Sequence, residues 1–373
     1  MSKYLWKTLN MIEKEILNNK NVALVVGSTG MAGSNLANKL IENGWEVYGL
    51  SRSSKNNNVA IKPITADLLN PSQLANALKD ILPTHVFFTT WMRNDTEDEN
   101  IRINSALVRN LLNVLSPKKS VKHVALVTGL KHYLGPFESY AKEGVLPETP
   151  LREEQPRLDL KNFYYAQEDE VYAAAKRDGF TWSVHRPHTL IGYAVGNLMN
   201  LGTTLAVYAS ICKEEKLPFI WPGSEAQWNG LSDVTDAKIL AEQLIWAAET
   251  PSAKNQAYNI ANGDIFRWKW LWQKIADFFD LEVDGFDGSI RPLEQRLAQK
   301  KEIWQKMAVQ YNLIEADLNR ISSAWHTDLD LGRPIEVMTD MSNSRKLGFV
   351  EYTNTKDSFF ELFTQLQKDK LIP

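Results

Sequence analysis

The sequence predicts an α/β fold: a Rossmann-type doubly wound parallel sheet carrying a smaller, partly discontinuous C-terminal substrate lobe. Three observations lead there. Short apolar runs alternate with segments of helical periodicity through the first half of the 373 residues. A glycine-rich turn follows the first of those runs. After Pro187 the alternation gives way to a longer apolar stretch and turn-rich segments. The expected division is an N-terminal helix over 1–20, a dinucleotide-binding domain over 21–190 and mainly a substrate-binding lobe over 191–373. Segments around 228–262 are expected to return to the first domain.

Val22–Val26 is an apolar, mainly β-branched run that suits a buried parallel strand. Gly27-Ser-Thr-Gly30-Met-Ala-Gly33 follows, then an amphipathic helix through Leu36, Leu40 and Ile41 to about Gly44, then a strand over Glu46–Leu50. In this context Gly27 makes the tight turn, Gly30 lets backbone approach a pyrophosphate, and Gly33 lets the helix sit close on the sheet. The helix N-terminus offers free N–H groups and a positive dipole end to phosphate. After the second strand the chain reads Gly49-Leu-Ser-Arg-Ser53, with no carboxylate to take a ribose 2′-hydroxyl. Arg52 is placed to pair with a 2′-phosphate, with Ser51 or Ser53 as hydrogen-bond donors. NADP(H) is favoured over NAD(H).

The alternation continues with a strand over Val59–Thr65 leading to Asp67, a carboxylate able to accept from an adenine amino group. A helix is expected over Asn70–Leu82, a strand over His85–Thr90, a helix over Asn100–Leu115 and a strand over Val121–Thr128. Ligands of such sheets lie outside the carboxyl ends of the strands, so Thr90, Trp91 and Thr128 fall at the ligand edge.

Two tyrosines compete for the role of proton donor. Tyr172 and Lys176 have the Tyr-x-x-x-Lys spacing, whereas Tyr164 has no lysine four residues on. Asn162 is a good N-cap and Gly179 a good C′ residue, so one helix should run over Phe163–Asp178 into a strand over Thr181–His185. Helices of a parallel α/β sheet run antiparallel to its strands, which puts the start of this helix at the ligand edge. Tyr172 then lies roughly 12 Å further down the axis, too far for a phenol that must reach a substrate oxygen. Tyr164 needs a cation to make it a better proton donor. Lys131, just past Thr128, shares its sheet edge. Taken alone, such a loop lysine is more often a solvated charge.

Beyond Pro187, Leu201–Cys212 suits a buried helix and Leu231–Val234 a short strand. Helices are expected over Asp236–Ala248, Trp268–Phe279 and Lys356–Leu366, with a strand at Tyr258–Ile260. Trp268, Trp270, Trp272, Phe278, Phe279, Trp304 and Trp325 are read mainly as core, with a few free to roof an apolar substrate.

Composition excludes several functions. A formal charge of −3 argues against nucleic-acid binding. The single cysteine, Cys212, allows no internal disulfide and suits a cytoplasmic protein. Six scattered histidines give no metal-ligand spacing, and no stretch is apolar enough to span a membrane. Leu5, Leu9, Ile12 and Ile16 fall at helical spacing, a face that docks on the body or on a partner subunit and leaves a homodimer open.

The segments VVGSTGMAG, WEVYGLSR, TTWMRN, VTGLKHYLGPFESYAK, PRLDLKNFYYAQED, TWSVHRPHTLIGY and MSNSRKLGF resemble the progesterone 5β-reductase and iridoid synthase family, an atypical branch of the extended short-chain dehydrogenases. The resemblance covers nearly the whole chain. It implies NADPH-dependent reduction of the activated C=C bond of a small apolar enone or enal, NADH remaining possible. Tyr164 and Lys131 match the family's catalytic pair. Thr29, Gly30, Met31, Arg52, Ser53, Asp67, Leu68, Thr90, Trp91, Leu190, Asn197, Leu198 and Met199 fall on cofactor positions. Phe137 and Tyr140 fall on the substrate pocket, which Met199 also borders. Departures are Arg52-Ser53 for the family's two arginines, His188-Thr189 for its Gly-Asn, and Ile335–Thr339 where a pocket phenylalanine is usual. The pocket is expected to be reshaped. A carbonyl reductase or a nucleotide-sugar epimerase/dehydratase using Tyr172–Lys176 is the alternative, and an NADP-sensing scaffold the non-enzymatic one.

Overall fold

The computed structural model describes residues 21–53, 58–136 and 146–373. The helix expected over residues 1–20 lies outside the described residues. The strands are β1 (Val22–Val26), β2 (Glu46–Ser51), β3 (Lys62–Thr65), β4 (His85–Phe88), β5 (His123–Val127), β6 (Thr181–Pro187), β7 (Leu190–Ile191), β8 (Phe219–Ile220), β9 (Thr235–Asp236), β10 (Gln256–Ile260) and β11 (Val283–Asp284). Seven form one sheet in the order β10-β6-β5-β4-β1-β2-β3. Every pairing in it is parallel. Strand order therefore reverses between β1 and β4, and a crevice opens there at the carboxyl ends.

Alternate residues of the central strands face opposite layers. Ala23 and Val25 of β1, Phe87 of β4 and Ala125 of β5 pack on Leu36, Leu40, Leu240 and Leu244 from the helices Met31–Glu42 and Ala237–Glu249. Leu24, Val26, Val86, Phe88, Val124 and Leu126 pack on Leu107, Leu111, Leu115 and Val171 from the helices Glu97–Leu115 and Phe163–Asp178. Leu24 is wholly buried. Truncating it to alanine would cost about 2–5 kcal/mol through lost transfer energy and a cavity.

Some boundaries move for local reasons. The third strand starts at Lys62, not Val59, whose side chain is fully exposed at the sheet margin. The next helix is shorter than expected, Pro71–Leu78, with Asn70 capping Gln73 N–H and Pro71 at its first position. The following helix begins at Glu97 because Thr96 caps Glu99 N–H. Its first turn carries Glu97, Asp98 and Glu99, the charge sign that suits a helix N-terminus. The strand expected over Leu231–Val234 is absent. Leu231 N–H goes to the Glu336 side chain, Ser232 makes single bridges to Phe266 and Val337, and the strand forms as β9, paired with β7.

The second apolar core lies in the C-terminal half, around the helices Leu201–Glu215, Trp268–Phe279 and Thr355–Lys368. Trp268, Trp272 and Trp304 are buried in it, and Phe219 stacks on Trp272 at 4.0 Å between ring centroids. Trp270 is exposed. Asn259 of β10 joins distant segments. Its Oδ1 accepts from Tyr133 Oη at 2.7 Å, and its Nδ2 donates to the carbonyls of Leu151 at 3.0 Å and Asp340 at 3.1 Å.

Candidate active site

A cleft of about 1470 Å³ lies over the carboxyl ends of the central strands. It is lined by Gly27, Thr29, Gly30, Met31, Arg52, Ser53, Asp67, Leu68, Thr90, Trp91, Thr128, Lys131, Tyr164, Leu190, Asn197, Leu198 and Met199. Gly33 does not line it, and Phe137 and Tyr140 lie outside the described residues.

The glycines divide by what surrounds them. Gly27 sits at φ +87°, and its N–H donates to Leu50 O at 2.8 Å. A Cβ on Gly33 would overlap Gly27 O and lie 2.7 Å from Thr89 Oγ1. Gly33 is thus a packing residue that lets the helix Met31–Glu42 approach the strand ends. A Cβ on Gly30 would meet only Gly27 O, at 3.4 Å, so protein packing does not demand a glycine there. Gly30 borders the cleft at the N-terminus of that helix, the place where a diphosphate needs close backbone approach. The cradle fits a dinucleotide.

At the other end of the cleft, Lys131 opens the one-turn helix Lys131–Leu134 beyond β5 and is only 8 % exposed. Burial pushes its ammonium down to about 7. Asp330 and Glu97 oppose that shift, and Arg333 and Arg93 add to it. Tyr164 is 7 % exposed, in the first turn of the helix Phe163–Asp178. Its hydroxyl lies 3.6 Å from where a Cβ of Gly129 would sit, which places the phenol over the end of β5. Asn162 holds both neighbours: its Oδ1 accepts Tyr164 N–H at 3.0 Å, and its Nδ2 donates to Lys131 O at 2.7 Å. Buried Glu97 accepts Phe163 N–H at 2.6 Å, and the Phe163 ring packs between Trp91 and Tyr164.

Tyr172 is elsewhere. Its ring packs on Trp182 at 4.4 Å in the apolar layer beneath the sheet, and burial raises its pKa. Lys176 is exposed, and neither residue borders the cleft. His132 also faces away from the cleft, with its ring against Tyr133 and Tyr165 and its pKa pushed down to about 3 chiefly by burial.

The wall around His188 and Thr189 is polar. His188 Nδ1 lies 2.5 Å from Asp233 Oδ1, and His188 Nε2 lies 2.6 Å from Arg333 Nη1. A guanidinium can only donate, so Nε2 is the acceptor and Nδ1 carries the proton toward Asp233. Arg333 also bonds Asp330 and, at 3.3 Å, Thr189 Oγ1. Asp233 Oδ2 accepts from Thr339 N at 2.8 Å and from its Oγ1 at 2.9 Å. Sequence reasoning singled out His188 and Thr189 but missed His326, Asp330 and Arg333, which also line the cleft. Their spacing along one helix face was the available signal. Among the described residues no helix is long and apolar enough to cross a membrane.

A seven-stranded parallel sheet with a nucleotide cradle at one end of its cleft and a buried tyrosine and lysine at the other defines a short-chain dehydrogenase/reductase. Residues 66–373 match the PRISE-like Rossmann-fold domain family, and the chain belongs to it. It is 38 % identical over 368 residues to an (S)-8-oxocitronellyl enol synthase of Camptotheca acuminata, covering 95 % of this chain and 94 % of that one. It is 37 % identical over 367 residues to a 3-oxo-Δ(4,5)-steroid 5β-reductase of Arabidopsis thaliana, with the same coverage. Among solved structures, the epimerase Mth375 of Methanothermobacter thermautotrophicus superposes with a TM-score of 0.68 at 14 % identity, over 94 % of this chain and 93 % of that one. That likeness is one of fold. The protein is accordingly an oxidoreductase of this superfamily.

Proposed function

We infer that this protein reduces the C=C bond of α,β-unsaturated carbonyl compounds with NADPH. The observation that carries the reading is the gathering of Tyr164 and Lys131, far apart in sequence, at the end of β5 in the same cleft as the glycine cradle. A reduced nicotinamide bound there supplies a hydride to the β-carbon. Tyr164 Oη meets the carbonyl oxygen as negative charge moves onto it, where electrostatic help lowers the barrier. The Lys131 ammonium favours the phenolate and so strengthens Tyr164 as a proton donor. Asn162 positions the two main-chain segments that carry them. Thr29, Gly30 and Met31 would hold the diphosphate, and Arg52 and Ser53 the 2′-phosphate. Asp67 and Leu68 would hold the adenine, and Thr90, Trp91, Thr128, Leu190 and Asn197–Met199 would border the nicotinamide half.

The names of the relatives support a reaction on an enone or its enol product. The alternative built on Tyr172–Lys176 is not favoured, since that pair lies outside the cleft. The test is a panel of cyclic and linear enones and enals with NADPH against NADH. Cofactor consumption and the saturated product are both followed. Saturated carbonyl formed preferentially with NADPH is expected. An allylic alcohol as the product, or no turnover anywhere in the panel, defeats the reading.

A further inference from the structure

The helix Ala324–Leu331 and the turn after it present His326, Leu329, Asp330 and Arg333 to the cleft. These positions are i, i+3, i+4 and i+7, the spacing of one helical face. Pockets for apolar ligands are lined mainly by apolar side chains, yet three of these four are ionisable. Asp330 and Arg333 bond each other, and Arg333 also holds His188 and Thr189. His326 is different. Its Nδ1 is buried with no hydrogen-bond partner among the described residues, and its ring packs edge-on against Trp325 at 5.6 Å. Trp325 is itself covered by the Arg93 guanidinium, 3.8 Å from the ring centroid. A buried polar atom of this kind carries a desolvation cost that a ligand can relieve.

We propose that His326 is a specificity-determining residue that hydrogen-bonds a hydroxyl group of the substrate, so that the substrate is a hydroxylated enone or enal held at two points. Its carbonyl oxygen meets Tyr164 and its hydroxyl meets His326. The proposal rests on the alkene-reductase reading above. The groups facing His326 are Asp330, Lys131, Arg333 and Arg93. Burial, helped by the three cations, holds the imidazole neutral. A neutral imidazole offers one donor and one acceptor, and a hydroxyl complements both whichever tautomer is present. A carboxylate would lie against Asp330, whose charge already answers Arg333.

The test uses 2-enals of increasing chain length, each paired with its ω-hydroxy and ω-carboxy counterparts, and reads the ratio of kcat/KM within each set. The full chain should prefer an ω-hydroxy-2-enal to its parent by about ten-fold or more at one chain length, because a site built to bond a hydroxyl discriminates against its absence. In His326→Leu that ratio should fall to near one. His326→Gln keeps a donor and an acceptor and should retain most of the ratio, a split that misfolding does not produce. A ratio near one at every length in the unmodified protein overturns the proposal, as does a preference that survives in His326→Leu. An ω-carboxy preference that disappears in Arg333→Met overturns the hydroxyl assignment. Failure to reduce any 2-enal, parent or substituted, instead strikes the alkene-reductase reading itself.

Discussion

The side-chain amide of Asn162 bonds the main-chain carbonyl of Lys131 across 2.7 Å while its oxygen caps Tyr164 N–H at 3.0 Å. One residue thus fixes the spacing of two chain segments more than thirty positions apart. Asn162→Ala removes both bonds and should lower stability by about 1–3 kcal/mol, from a lost cap and a lost buried hydrogen bond. Asn162→Ser keeps the cap but is too short to reach Lys131. Urea denaturation should show its stability partly restored, by the share of the cap alone, while steady-state kinetics should show kcat still depressed.

The two tyrosines give opposite expectations. Tyr164→Phe should reduce kcat about 10²–10⁴-fold, the range for a lost proton donor. Tyr172→Phe, in the layer against Trp182, should leave kcat little changed. Enone turnover by the two variants decides it, and a reversed result would move the chemistry to Tyr172.

Lys131 should give the cofactor-free protein a titration near neutrality, since burial depresses its ammonium to about 7. The charged form is the useful one, so activity should fall as pH rises through that value. Bound phosphates add negative charge to the cleft and should move the fall to higher pH. The check compares pH profiles of kcat/KM for NADPH and for the enone, with Lys131→Met expected to lose the alkaline limb.

Gly30→Ala and Gly33→Ala should fail for different reasons. The added methyl at Gly33 collides with Gly27 O and Thr89 Oγ1. It should destabilise the fold by roughly 1–3 kcal/mol, as overpacking does. At Gly30 the methyl meets only Gly27 O at 3.4 Å. That variant should keep its melting temperature without cofactor but bind NADPH at least about ten-fold more weakly. Thermal unfolding with and without NADPH separates the two.

Glu153 supplies a stability test away from the chemistry. Burial raises its carboxyl to about 7, although Asn259 N–H donates to it at 3.1 Å. Between the ordinary value near 4.5 and about 7 the folded protein binds a proton that the unfolded chain releases. Stability from this group is therefore full below the ordinary value and is lost as pH rises through about 7. Glu153→Gln keeps the acceptor without the charge and should be about 1–3 kcal/mol more stable than the parent at pH 8. Denaturation at pH 4.5 and pH 8 should show that advantage only at the higher pH.

The central sheet was legible because Val22–Val26 and the runs at residues 86–88 and 124–127 are apolar on both faces, as suits buried parallel strands. The margins were less so. Val59 reads as a strand residue by type but faces water, and Ser232 finds its bridge partners in Phe266 and in Val337, more than a hundred residues away. Helix polarity was enough to separate Tyr164 from Tyr172. The network Asp233–His188–Arg333–Asp330 was legible only in its Asp330–Arg333 spacing, because its members come from three separated segments and no local pattern links those segments.

Asn259 also sets an order on the birth of the fold. Its side-chain amide sits within β10, yet its acceptors belong to Leu151 and Asp340. A ribosome that has just released β10 has a complete set of sheet strands but must still deliver some eighty residues before Asp340 arrives. Until then the outermost strand keeps its ladder to β6 but carries a side-chain amide proton short of its acceptor, so that edge of the sheet is incompletely fixed. Truncation ahead of Asp340 should therefore loosen the nucleotide half of the molecule, even though every residue that lines the glycine cradle is already present.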